Sequence, residues 1–181
     1  MKYIFDLDET LIQSTTLNND AYNYALEKFG YPRINTSERI TREELNFIPE
    51  ELLRKIIKEK QKYFTSEWLP YRIIINKELV KKLKEYGRKN CYLWTKANKD
   101  RVKSILSCCK LERLFNKIIF DNKTAFQTSI SKLNVATHSD VFIIYENNKK
   151  FFDNGCVKII ERLKTKYFDV TKYLIYTYQR R

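Results

Sequence analysis

The chain opens on a short apolar run, Tyr3-Ile4-Phe5, that stops at Asp6-Leu7-Asp8. Comparable runs recur at Cys91-Tyr92-Leu93-Trp94, Lys117 to Phe120 and Val141-Phe142-Ile143-Ile144-Tyr145. Short apolar runs without alternation predict strands buried on both faces. Val157 to Ile160 and Tyr173 to Tyr178 read as two more strands. Between the runs, apolar residues recur at helical spacing. A cap at Asn18 or Asn19 predicts a helix to Phe29, with Ala21, Tyr24, Ala25 and Phe29 on one face and Gly30 ending it. Leu11 to Thr16 is then the turn before it. Pro49 opens a second helix to about Phe64, carrying Leu52, Leu53, Ile56, Ile57, Lys60 and Tyr63. The polar stretch between these helices holds a short helix near Thr41 to Leu45. Further helices run from Lys77 to Tyr86, closed by Gly87, and from an Asn98 cap with Val102, Ile105, Leu106 and Cys109 inward. Thr124 to Leu133 completes the set. Strands alternating with helices predict an α/β fold around a parallel sheet, a layout that gathers its ligands at the carboxyl ends of the strands.

At 181 residues the chain suits one domain, or one domain with a small insertion. No apolar run approaches the roughly 20 residues that span a bilayer, and the N-terminus enters the first strand without a signal-peptide pattern. A cytoplasmic protein with no membrane partner is therefore expected. Cys91, Cys108, Cys109 and Cys156 show no Cys-x-x-Cys spacing, and one histidine, His138, cannot complete a zinc site of ordinary composition. The cysteines read as reduced packing residues. A formal net charge of +13 admits a nucleotide or nucleic-acid partner. A composition rich in Lys, Asn, Ile and Tyr with only 3 Gly accounts for the charge equally well, because the lysines form no stripe.

Chemistry concentrates where the runs end. Alternation along the first strand puts Asp6 and Asp8 on one side, with Leu7 turned into the core. Two carboxylates this close repel, and burial penalises their charge, unless a cation or shared proton compensates. Mg²⁺, which takes a few carboxylate oxygens plus water and substrate phosphate, is the natural compensator. Thr95 ends the Cys91–Trp94 run, where its hydroxyl either donates to a phosphate oxygen or merely caps a turn. Lys123, flanked by Lys117 and Lys132 in a chain rich in lysine, opens the helical segment Thr124 to Leu133. The fourth run ends at Glu146-Asn147-Asn148, with Asp153 further on.

Phe5-Asp6-Leu7-Asp8-Glu9-Thr10 resembles motif I of the haloacid dehalogenase superfamily, Asp-x-Asp-x-Thr after an apolar strand. Thr95-Lys96-Ala97-Asn98 resembles its motif II, Lys123 its motif III and Glu146-Asn147 its motif IV, although one or two acids are usual in the last place. The phrase Asn19 to Pro32 is similar to the opening of the small helical cap in the phosphoglycolate phosphatase and beta-phosphoglucomutase branch. The resemblance implies a Rossmann-like core over 1–16 and 71–181, with a small helical cap over 17–70 inserted after the first strand. It implies a Mg²⁺-dependent phosphatase acting on a small phosphometabolite or nucleotide. Asp6 is then the nucleophile that forms an aspartyl phosphate, and Asp8 the general acid and base. Thr95, Lys96 and Lys123 bind the phosphate, and Asp6, Asp8, Glu146 and Asn147 hold the metal. A phosphomutase of the same architecture and a weakened phosphate-binding or nucleic-acid-binding domain remain alternatives.

Overall fold

A computed structural model describes residues 1–64, 73–121, 141–147 and 157–176. Strand β1 (Lys2–Phe5) leads to a two-residue strand β2 (Ile12–Gln13) and helix α1 (Thr15–Lys28). Helix α2 (Glu50–Tyr63), strand β3 (Ile74–Ile75), helix α3 (Lys77–Tyr86) and strand β4 (Cys91–Thr95) follow. Helix α4 (Lys99–Cys108) and strands β5 (Lys117–Phe120), β6 (Val141–Glu146), β7 (Val157–Lys164) and β8 (Asp169–Tyr176) complete the order.

Six strands form one sheet in the order β5-β4-β1-β6-β8-β7. β1 lies at its centre, parallel to β4 on one side and to β6 on the other, and β5 runs parallel beyond β4. The α/β fold expected from the apolar runs is therefore present. The last two strands form an antiparallel hairpin against β6 instead of continuing the parallel order. A turn suffices to join them, whereas a parallel step needs a crossover of a dozen or more residues. Thr165 makes that turn, its hydroxyl accepting from the N–H groups of Tyr167 and Phe168.

Alternation divides the sheet's apolar residues between two faces. Phe5, Leu93 and Tyr145 pack with Leu79 and Leu83 of α3 and Val102, Ile105 and Leu106 of α4. Ile4, Tyr92, Trp94, Phe142 and Ile144 form the opposite cluster. Full burial of each such side chain stabilises the fold by about 2 kcal/mol before entropy is counted. The rings of Phe5 and Tyr145 stack at 4.8 Å, and the Tyr145 hydroxyl meets that of Tyr86 at 2.8 Å, which locks α3 against the centre of the sheet. Asn76, not singled out in the sequence, caps α3 with a side chain that accepts from Leu79 N, and Gly87 closes the helix as expected, at φ +77°.

α1 differs from its expectation. It begins at Thr15, not after Asn18 or Asn19, and those asparagines are buried inside it. Their side chains serve a different task. Asn18 donates to Ile40 O at 3.0 Å, Asn19 donates to Glu38 O and accepts from Ile40 N, and Asn23 pairs both ways with Ile34. The polar stretch after α1 is thus hydrogen-bonded along the helix instead of lying free. The buried face also shifts: Ala21, Tyr22, Ala25 and Leu26 point inward, while Tyr24 is 44% exposed. Tyr22, Ala25 and Leu26 join Ile40, Leu45, Ile48 and Ile56 in a third apolar cluster. The chain leaves the sheet for these helices and returns through the antiparallel pair β2–β3, where the turn expected over Leu11 to Thr16 carries β2.

Candidate active site

Three parallel strands end on one side of the sheet, and their last residues meet there. Beyond β1, Asp6 N donates to Tyr145 O at 3.0 Å, so the strand partner of Phe5 also holds the first carboxylate. Asp6 is buried, Leu7 is fully buried, and Thr10 is 3.5 Å from Asp6 Oδ2. The chain then turns sharply, with Leu7 O accepting from Leu11 N and Ile12 N at 3.0 Å. Glu9 sits in that turn at φ +60°, a left-handed conformation that costs a non-glycine residue about 1 kcal/mol. Its carboxylate offsets the cost by accepting from Ser14 N at 3.0 Å and from the Thr15 hydroxyl at 2.9 Å.

β4 delivers Thr95, almost fully buried, whose hydroxyl oxygen accepts from Ala97 N at 3.2 Å. That acceptor bond leaves the hydroxyl proton for another partner. Asn98 caps α4 as expected, accepting from Asp100 N and Arg101 N. β6 delivers Glu146, 2% exposed, which accepts from Asn147 N at 3.1 Å. A cavity of about 210 Å³ opens among Asp6, Asp8, Glu9, Arg39, Thr95, Lys96, Ala97, Glu146 and Asn147.

Six of the seven expected site residues therefore line one cavity: Asp6, Asp8, Thr95, Lys96, Glu146 and Asn147. The seventh, Lys123, lies outside the described residues, as do Lys132, His138, Asn148, Asp153, Cys156 and the predicted helix over 124–133. Lys117 occupies the amino end of β5, in register with Tyr92 and not with Thr95, which removes it from the cavity.

Asp8 is tied down more heavily than its place in the motif suggested. Its Oδ1 accepts from the Ser14 hydroxyl and from the Arg101 guanidinium, and Arg39 stands 3.7 Å away. Burial alone would raise the carboxyl, but Arg101, Arg39 and the Ser14 hydrogen bond outweigh it and bring it down to about 2. Arg101 and Arg39 were not singled out in the sequence. Arg101 left a faint trace, a charged residue one helical turn before Ile105 on the inward face of α4. Arg39 left none, because it arrives on the polar stretch that the α1 asparagines hold.

Among the described residues, no group of three or more His, Cys, Asp or Glu side chains is gathered to hold a metal. Mg²⁺ needs fewer, since it keeps several waters beside one or two carboxylates. The Asp6 and Glu146 carboxylates, the Asp8 main-chain carbonyl and the Asn147 amide oxygen make an all-oxygen donor set around the cavity, which suits that ion. Arg101, Ser14 and Arg39 engage the Asp8 carboxylate through Oδ1, and the donor that the resemblance implies at this residue is its main-chain carbonyl.

Residues 3–133 match the haloacid dehalogenase-like hydrolase family, a span that includes Asp6, Asp8, Thr95 and Lys123 but ends before Glu146. Solved structures share the fold. A candidate haloacid dehalogenase-like hydrolase from Bacteroides fragilis superposes with a TM-score of 0.59 at 18% identity, over 74% of this chain and 73% of that one. A candidate phosphoglycolate phosphatase from Lactobacillus plantarum gives 0.56 at 17% identity over 75% and 72%. A candidate beta-phosphoglucomutase from Thermotoga maritima gives 0.52 at 18% identity over 80% and 75%. No curated protein sequence matches the chain significantly. Among the described residues, no helix is long and apolar enough to cross a membrane.

Proposed function

Because the chain belongs to the haloacid dehalogenase-like hydrolases, we propose that it is a Mg²⁺-dependent phosphomonoesterase acting through an aspartyl phosphate on a small phosphorylated metabolite or nucleotide. The observation that carries this reading is the meeting of Asp6, Asp8, Thr95 and Glu146 from three adjacent strand ends at one cavity. Asp6 is the nucleophile. One of its carboxylate oxygens attacks phosphorus and the ester oxygen leaves, so that one hard displacement becomes two easier ones. The Thr95 hydroxyl, its oxygen already accepting from Ala97 N, donates a hydrogen bond to a phosphate oxygen. Lys96 and, on the family pattern, Lys123 face the phosphate charge. Asp8 moves the proton, giving it to the leaving oxygen in the first displacement and taking it from water in the second. The Arg101 ion pair favours the ionised form, which accepts from water in the second displacement, so the proton given in the first is one taken up from solvent against that pull. Asp6, Glu146, the Asp8 carbonyl and Asn147 would hold Mg²⁺, which would supply a counter-charge to the transferring group.

We assign residues 17–70 to a cap and the rest to the core. The separate apolar cluster of α1 and α2 and the β2–β3 ribbon at the exit and return of the chain support that division. The cap places Arg39 at the cavity mouth, where it excludes water and meets the substrate.

The test is hydrolysis of an aryl phosphate and of a panel of phosphorylated metabolites, including nucleoside monophosphates, with and without Mg²⁺. Wild-type protein should release inorganic phosphate only with the ion. Asp6→Asn should lose essentially all turnover while keeping its circular dichroism spectrum, and turnover near wild type in that variant would remove Asp6 as nucleophile. Phosphate retained on the substrate instead of released would mark a mutase.

A further inference from the structure

Taking a guanidinium out of water is costly unless its charge and its donors are matched. Arg101 is 7% exposed, yet the match is incomplete: its Nε has no hydrogen-bond partner among the described residues. The group is held elsewhere. One terminal nitrogen bonds both Asp8 Oδ1 and, at 3.3 Å, the Ser14 hydroxyl, and its carbon lies 4.8 Å from the centre of the Phe64 ring. An arginine kept only for stability could give way to an apolar side chain on Phe64 without loss. What distinguishes this one is the atom it grips. Ser14, Arg101 and Arg39 all converge on Oδ1 of Asp8, while no described residue makes a hydrogen bond to Oδ2. Asp8 lines the cavity, so Oδ2 is its oxygen left for a substrate.

We propose that Arg101 is a positioning residue for proton transfer, fixing the Asp8 carboxylate through Oδ1 so that Oδ2 is presented to the leaving oxygen and to the attacking water. The proposal rests on the phosphatase reading above. Arg101 starts from the first turn of α4, the helix whose Asn98 cap follows directly on Thr95. The element that sets the phosphate-binding turn therefore also sets the proton-transfer group. Without Arg101, Asp8 keeps Ser14 and the more distant Arg39, and its carboxylate is free to rotate between productive and unproductive settings.

A double-mutant cycle tests this, because a residue acting only through Asp8 has nothing left to position once Asp8 cannot transfer protons. With 4-nitrophenyl phosphate and saturating Mg²⁺, Arg101→Leu should lower kcat by about tenfold or more, part of the roughly hundredfold that proton transfer contributes, with KM changed less than about threefold. Arg101→Lys, which keeps the charge without the planar fork, should recover part of the loss. In an Asp8→Asn background, Arg101→Leu should cost less than about twofold more. Losses that multiply, or a single Arg101→Leu variant within about twofold of wild type, would overturn the proposal and leave the phosphatase reading standing. Wild-type protein that hydrolyses nothing on the panel would remove both. Thermal unfolding with and without Mg²⁺ gives a readout independent of turnover: the Mg²⁺-induced shift should be the same in wild type and Arg101→Leu, and its loss would make Arg101 a support of the metal site instead. Should Arg101→Leu not fold, Arg101→Lys carries the same cycle.

Discussion

Replacing Asp8 by Asn removes one charge and almost no volume, so its effect on stability measures what the two arginines and Ser14 give the folded chain. The carboxyl falls from 3.8 to about 2 on folding. At about 1.36 kcal/mol for each pH unit, a fall of that size is worth about 2 kcal/mol at neutral pH. The side chain is 22% exposed, so solvent weakens the pair and the figure is a ceiling. Burial acts in the opposite direction, but the net shift is downward, so the cations win. For a chain of this length about 2 kcal/mol corresponds to a fall in Tm of about 4–8 °C in Asp8→Asn. The sign of the pH dependence follows from the depressed folded-state value. The stabilisation is complete above the unfolded-state value of 3.8 and is lost as pH falls through about 2. By pH 3 wild type should have lost roughly 1 kcal/mol more than the variant, so the gap between them narrows. Thermal and urea unfolding of both proteins in metal-free buffer between pH 7 and pH 3 provides the measurement. A variant as stable as wild type at pH 7, or a gap that holds constant to pH 3, would refute the assignment of net attraction to Asp8.

Two further outcomes concern other residues. Glu146→Ala should raise the Mg²⁺ concentration for half-maximal activity well beyond the effect of Asn147→Ala, and Asn147→Asp should lower it, since added carboxylate at a hard-cation site strengthens attraction; a larger loss from Asn147→Ala would transfer the ligand role to Asn147. Lys60, buried on α2 with its ammonium 2.7 Å from Asn18 Oδ1 and 3.6 Å from the Tyr22 ring centre, is pushed down to about 6 by burial first and then by Arg101, Arg39 and Arg42. The unfolded chain holds a proton there that the folded chain lacks, so wild-type stability should rise relative to Lys60→Met as pH goes from about 6 to 9, by up to about 1.4 kcal/mol per pH unit; parallel stability curves for the two proteins would contradict it.

What the sequence made legible was local. Asp6 and Asp8 could be placed because their strand is adjacent to them in the chain, and Thr95 and Glu146 because each ends an apolar run. Gly87 and Asn98 act as helix signals because capping uses residues within one turn, and Asn76 obeys the same rule without having been singled out. Asn18 and Asn19 misled for the opposite reason. The same side chains that cap helices also bond a distant main chain, and their partners at Glu38 and Ile40 are not visible as a pattern. The hold on Asp8 was hidden likewise, since nothing in residues 98–105 says that Arg101 reaches back 93 positions. The hairpin at the end of the sheet was read as two strands without direction, because an alternation of buried positions is the same in parallel and antiparallel pairs.

The central place of β1 bears on how the chain folds. Tyr3 is in register with Cys91 and with Ile143, 88 and 140 residues further along. β1 is thus made well before either partner, and at about 5–20 residues per second it waits roughly 7–28 s for β6. Such distant pairings slow folding because the loops must close before the contacts reward them. During that interval one hydrogen-bonding edge of Lys2–Phe5 stays open to another copy of itself. Fragments that end before residue 141 keep that edge open permanently, so they should aggregate even though they contain both aspartates and the threonine of the site.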